Sequence, residues 1–348
     1  MSIPDQPFLL KPVFEKFPLS AIVALAVLQI LLFGCIPTEP SSDGKKEGTA
    51  ETAQASVEPD AEPYEALSLL GKKLKRPELS DKQRAALEEN LAKAKANFDA
   101  YPDSLDFIIW YGRRLAYMSM YKEAIQVYTD GLREFPDSYR IYRHRGHRYI
   151  SIRQFDDAIR DLEKAAFYMR GEETMIEKDG IPNKLNIPLS STQFNVWYHL
   201  GLAYYLKGNY DKAISAYKKC MEFSTNDDLL VATSDWMYIT YRKLGNLQAA
   251  DKVLEAIKPK MKIVENDSYH KRLLMYKGLL QPEDVLSADE EDGVQLATQG
   301  YGVANWYLLN GNIEKGRDIL EKVVAGESWS AFGYIASEVE LTNLQALL

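Results

Sequence analysis

FNVWYHLGLAYYLKGNYDKAISAYKKC, residues 194–220, decides the fold: its apolar and small side chains recur at helical spacing on both sides of a turn at Gly208 and Asn209. Trp197, Leu200, Gly201 and Tyr204 share one helix face, and Tyr210, Ala213, Tyr217 and Cys220 share the face that closes on it. Gly201 and Ala213 are small where the two backbones must approach, while the aromatic rings fill the space around them. The stretch predicts two antiparallel helices.

The pattern recurs along the chain. Gly112 and Gly146 are 34 residues apart, as are Ala124 and Ala158, and Tyr121 and Phe155, with Pro136 closing the first of these units. An aromatic residue, Leu-Gly, Tyr, then Gly-x-Tyr, Ala and Tyr in this order resemble the tetratricopeptide repeat, a 34-residue helical hairpin. The resemblance implies an all-α, right-handed solenoid of about five to six units over 64–348. Clear units fall at about 105–138, 139–168, 194–225, 231–258 and 297–325.

Gly146 and Gly201 are 55 residues apart, one repeat plus 21, which places an insertion at 169–193. Its Ile181, Leu185, Ile187 and Leu189 offer apolar docking points, and Pro182 and Pro188 stiffen it, so an ordered flap is expected. Gly245 and Gly311 are 66 apart, two short of two repeats, so a degenerate hairpin is expected at 269–280 and 282–287, opened by an Asp267-Ser268 cap. At the N-terminal end, 64–75 and 80–100 read as a helix pair with a capping box at Ser80 and Gln83. At the other end 329–344 reads as a capping helix that turns Phe332, Ile335, Ala336 and Val339 inward.

The run LSAIVALAVLQILLFG at 19–34 follows Lys11 and Lys16 and runs directly into Cys35. It is shorter than the roughly 20 residues that a transmembrane helix needs. Leu32-Phe33-Gly34-Cys35 resembles the lipobox of bacterial lipoproteins. That resemblance implies a signal peptide at 1–34 and acylation of Cys35, with residence in the cell envelope. Because Ile36 is not aspartate, it points to the outer membrane, facing the periplasm. The other reading is an uncleaved signal anchor with an incidental cysteine. Residues 35–63, rich in Pro, Glu, Ser, Thr and Ala, read as a disordered acidic tether.

The chain has 348 residues, 46% of them hydrophobic, enough for a large core, and a formal charge of −8 without a long basic run. This excludes nucleic acid as the main partner, which would require a phosphate-neutralising surface. Cys35 and Cys220 are the only cysteines, so no disulfide framework arises.

The unusual stretch is YRIYRHRGHRYISIR at 139–153, with five arginines, two histidines and no acid. The resemblance implies a concave groove built from the second, fifth and ninth places of each first helix, here Arg140, Arg143 and His147. Ile109 and Arg113, then Tyr198, then Asp235, follow along the same groove. Arg145, Arg114 and Arg148 fall where the repeat packs something small or apolar. A buried guanidinium keeps its charge, so it must meet carboxylates or an anionic ligand. Pairing with Glu172, Glu173, Glu177 or Asp179 of the insertion is one reading. A pocket for a small anionic ligand is the other. The residues that adaptors of this family use to grip a peptide carboxylate are not matched by Ile109, Arg113, His144, Asn195 and His199, which leaves chaperone tails unsupported.

His144, His147 and His199 are near enough in the repeat for a metal reading, but the surrounding arginines oppose a cation, and no metal or other cofactor is expected. Cys220 reads as a buried small residue. No phosphate loop, serine nucleophile motif or paired carboxylates are present, so no catalytic residue is assigned. The resemblance implies a lipid-anchored envelope adaptor or scaffold that takes a protein or peptide partner in its groove. A receptor, or an unrecognised enzyme, for a small anion held by the Arg/His cluster under the insertion is the alternative.

Overall fold

The computed structural model describes residues 64–178, 180–287 and 293–346. The signal peptide, Cys35 and the tether lie outside the described residues. The deciding stretch forms α6 (Thr192–Leu206) and α7 (Tyr210–Glu222). A Cβ on Gly201 would lie 2.5 Å from Tyr217 Cε1, so the fully buried Tyr217 ring fits only because residue 201 has no side chain. The turn between the helices places Gly208 at φ +74°, a left-handed conformation that glycine adopts without steric cost. Nearly every residue of α6 is buried, and the main core forms around it.

The same construction recurs in α2 (Leu105–Tyr117) with α3 (Tyr121–Glu134) and in α4 (Tyr139–Ser151) with α5 (Phe155–Tyr168). It continues in α8 (Asp227–Lys243) with α9 (Leu247–Leu254) and in α12 (Gly293–Leu309) with α13 (Ile313–Ala325). A Cβ on Gly146 would lie 2.8 Å from Leu162 Cγ, so this glycine serves as Gly201 does. Tyr238, which replaces the small residue in the fourth unit, stacks on Tyr276 with ring centroids 4.4 Å apart.

Three elements differ from expectation. Residues 64–75 form no helix but a short antiparallel hairpin, β1 (Ala66–Leu67) with β2 (Lys73–Leu74), turned near Gly71 at φ +81°. The hairpin places Glu65 at the start of α3, where its Oε2 accepts from the Tyr121 and Lys122 amides at 3.1 and 3.3 Å. These amides have no partner within their own helix, and Met120 in the cap position supplies no side-chain bond, so the distant carboxylate replaces a local cap. α1 (Asp81–Ala100) does open with the Ser80 and Gln83 capping box.

The degenerate hairpin is α10 (Asp267–Tyr276) followed by α11 (Pro282–Val285), a single turn. Asn266 holds the cap position in place of Asp267-Ser268, and Asp267 becomes the acidic residue of the first turn. The closing helix α14 runs Phe332–Ala346, so Trp329 precedes it, buried edge-on against Tyr121 with centroids 5.4 Å apart. Ile335 and Ala336 turn inward as expected.

α14 also joins the two ends of the array. Arg153 occupies the turn position that Gly208, Gly245 and Gly311 hold in the later units and Ser119 in the first, at φ +66°. Its guanidinium donates to Glu338 from Nε at 3.0 Å and Nη2 at 2.8 Å, and to the Trp329 carbonyl at 2.7 Å. Glu338 is fully buried and also accepts from the Leu69 amide at 3.2 Å, while Trp329 Nε1 donates to the Lys75 carbonyl at 2.6 Å. Ile108, Tyr121 and Tyr128 of the first hairpin share one apolar cluster with Ala297, Val323, Trp329 and Tyr334.

Candidate functional site

The residues expected along the concave face are largely engaged by the chain itself. Asp235 is fully buried and pairs with Arg272 of α10 at 2.7 Å. Tyr198 is 7% exposed, accepts from Trp236 Nε1 at 2.8 Å and donates to the Tyr269 hydroxyl at 3.2 Å. His147 and His199 lie with ring centroids 4.2 Å apart, and both meet Phe332 of α14. His144 instead stacks on Tyr128. Among the described residues, no group of three or more His, Cys, Asp or Glu is arranged to hold a metal.

The arginines separate into three kinds. Arg145 has its answer within its own hairpin: Asp161 of α5 accepts from Nε at 2.6 Å and Nη2 at 2.9 Å, and Thr129 accepts from Nη1 at 3.0 Å. Its partner is therefore not an insertion carboxylate, because the helix facing Arg145 brings Asp161 nearer. Arg113, Arg114 and Arg143 hold the insertion. Arg113 donates to the Lys178 carbonyl at 2.8 Å, Arg114 to the Gly180 carbonyl at 2.9 Å, and Arg143 pairs with Glu177 at 2.9 Å. Arg148 lies over the Tyr121 ring at 5.2 Å, and no carboxylate among the described residues pairs with it.

The insertion is thus tied down by polar contacts. Ile176 bridges to Ser191 in antiparallel fashion, and Asn183 donates to Glu265 at 2.7 Å. Ile181, Leu185 and Ile187, expected to dock, are 66%, 60% and 52% exposed. Guanidinium groups that had to find acceptors found them in the insertion backbone, leaving its apolar side chains outside.

Beneath the insertion is a cavity of about 110 Å³ lined by Arg113, Arg143, His144, His147, Arg148 and Glu177, with Tyr117, Tyr128 and Ala116. Arg143 is 7% exposed, and burial lowers its pKa, opposed by Glu177 and reinforced by Arg113 and Arg148. Burial first, then the arginines, hold the pKa of His144, His147 and His199 well below the ordinary value, so these rings are neutral at pH 7. Arg143 Nη1 donates to His144 Nδ1 at 3.0 Å; a guanidinium only donates, so the His144 proton resides on Nε2.

A second, larger space lies on the side formed by the second helices. It measures about 800 Å³ and runs between α5 and α7 over α6, with Phe167, Trp197, Leu200 and Phe223 in its walls and Glu163, Arg170, Lys212 and Lys219 among its charged residues. Phe167 is 59% exposed. Sequence reasoning missed this groove, because Trp197 read as a hairpin contact and nothing in the repeat pattern singled out Phe167. Cys220 is fully buried near the Thr233 hydroxyl, and burial pushes its thiol up to about 12, far from a nucleophilic thiolate.

The family model of the tetratricopeptide repeat matches residues 194–226, the segment that carries α6 and α7. This segment is a tetratricopeptide repeat. The flanking hairpins extend the repeat into an all-α tetratricopeptide-type array. BBSome complex member BBS4 of Bos taurus is 30% identical over 149 residues, 43% of this chain and 24% of that protein, so the chain spans about a quarter of the length of that relative. A tetratricopeptide repeat protein from Parabacteroides merdae superposes with a TM-score of 0.45 at 14% identity, over 73% of this chain and 94% of that one. YrrB, described as a tetratricopeptide repeat protein with an unusual peptide-binding site, does so at 0.38 and 14%, over 68% and 95%. Tetratricopeptide repeats act generally as non-catalytic protein-interaction units, which makes an adaptor the coarse functional class indicated here.

Proposed function

We propose that the chain is a protein-binding scaffold of the bacterial cell envelope, anchored by lipid on Cys35, that takes its partner in the groove between α5 and α7. The observation that carries this reading is the groove itself. It is open and apolar at its floor, ringed by both signs of charge, and holds a large exposed aromatic in Phe167. Exposed aromatics beside fixed charges are the usual anchors of protein interfaces. The concave face favours the same choice, because Asp235, Tyr198 and the His147–His199 pair are already met by α10 and α14. The lipid anchor rests on the Leu32-Phe33-Gly34-Cys35 sequence alone.

The test is photo-crosslinking in native cells from a benzophenone side chain placed at Ser215, which also lines the groove, in the full-length chain. One envelope protein should be captured, and lost from Phe167→Glu and from Cys35→Ala. Undiminished recovery of that protein with Phe167→Glu would remove the groove from the account, and undiminished recovery with Cys35→Ala would remove the anchor.

A further inference from the structure

Three guanidinium groups, those of Arg113, Arg143 and Arg148, line the cavity beneath the insertion opposite a single described carboxylate, Glu177. With His144 and His147 neutral, the described residues of the cavity leave an excess of two positive charges, in a chain whose formal charge is −8. Two polar atoms there are buried without a partner: Arg143 Nε, which can only donate, and Glu177 Oε2, which in the carboxylate can only accept. A buried donor left unmet is costly, more so when it is charged. Neighbouring spaces of about 250 Å³ share walls with the cavity on either side, through Arg113, His144 and Glu177 on one and His147 and Arg148 on the other.

We infer that this cavity is a binding site for inorganic hydrogen phosphate. Its volume, about 110 Å³ where a single water needs roughly 10–15 Å³ on the same measure, has room for a compact oxyanion. A dianion matches the charge left over by Glu177. Hydrogen phosphate also carries one hydroxyl, which donates to Glu177 Oε2, while its other oxygens accept from Arg143 Nε, Arg113 and Arg148. Sulfate brings no proton at neutral pH. It presents lone pairs to a buried carboxylate and is repelled, so Glu177 sets the discrimination. The inference is independent of the scaffold reading, since the cavity and the α5–α7 groove share no residue.

Isothermal titration of the detergent-solubilised full-length chain with inorganic phosphate, and separately with sulfate, tests it at pH 7.5. Saturable binding of one phosphate is expected, with sulfate weaker by about ten-fold or more. Arg148→Gln removes a guanidinium that has no ion-pair partner among the described residues and should weaken phosphate by about ten-fold or more with unchanged helical circular dichroism. Arg148→Lys, which keeps the charge, should retain most binding and serves if the glutamine variant does not fold. Glu177→Gln should narrow the gap between the two anions. Absence of phosphate binding at millimolar concentration in the folded chain, equal affinity for sulfate, or undiminished binding by a folded Arg148→Gln protein would each overturn the assignment.

Discussion

His144 and His199 are 6% and 4% exposed, and burial followed by nearby arginines keeps both neutral in the folded chain. In the unfolded chain each takes up a proton near pH 6.5. Their folded pKa values lie below the unfolded ones, so the stability they confer is complete above that pH and is lost as the pH falls toward the folded values. The slope is at most roughly 3 kcal/mol per pH unit for the two together. Urea midpoints at pH 7.5, 6.5 and 5.5 should therefore fall below pH 6.5, and His199→Phe should lessen the dependence. A midpoint that does not change, or a variant with the same slope as the parent, would show that these rings are protonated when folded. At this scale the sequence announced buried charge but not its partners. Arg145 was legible as a cation in a place meant for a small residue, yet Asp161 is one of many acids and only the facing of α4 and α5 selects it. Arg153 carried a clearer signal, since it stands at a turn where Gly208, Gly245 and Gly311 all adopt positive φ. A non-glycine there costs about 1 kcal/mol or more and persists only where something else holds it.

What holds Arg153 is an element, α14. Glu338 lies at the centre of that helix with its side chain fully buried, and it accepts from both Arg153 and the Leu69 amide. Removing one member of a buried pair leaves an uncompensated charge, so Glu338→Ala should cost about 3–5 kcal/mol. Arg153→Gly combined with Glu338→Ala should cost less than the sum of the two single changes, because no orphaned guanidinium remains and glycine suits φ +66°. Equilibrium urea denaturation of the three variants decides this; strictly additive losses would mean that the pair is not coupled. The hairpins were readable from the 34-residue spacing because Gly112, Gly146 and Gly201 mark where backbones approach. The 64–75 segment was not readable, since its few residues find their order in Glu65 at the start of α3, a contact 56 positions away. The attachment of the insertion through Arg113, Arg114 and Arg143 reverses the expectation of apolar docking.

At the scale of the folded array, these contacts convert a row of hairpins into a closed one. In an open solenoid the terminal helix has a neighbour on one side only and is the first to fray. Here Trp329 packs on Tyr121, Glu338 reaches Arg153 and Leu69, and the first and last hairpins share a core. Local repeat periodicity cannot convey such closure, because it depends on pairs such as Arg153 and Glu338, 185 positions apart. Closure also bears on the proposed partner surface, since α10 and α14 occupy the face that an open array would offer. Native-state hydrogen exchange of the α14 amides is the most direct measurement of this claim. The account predicts protection of Phe332–Ala346 close to that of the central helix α6, exchanging only with global unfolding. Exchange from the interior of α14 by local fraying, far faster than α6 under the same conditions, would contradict it.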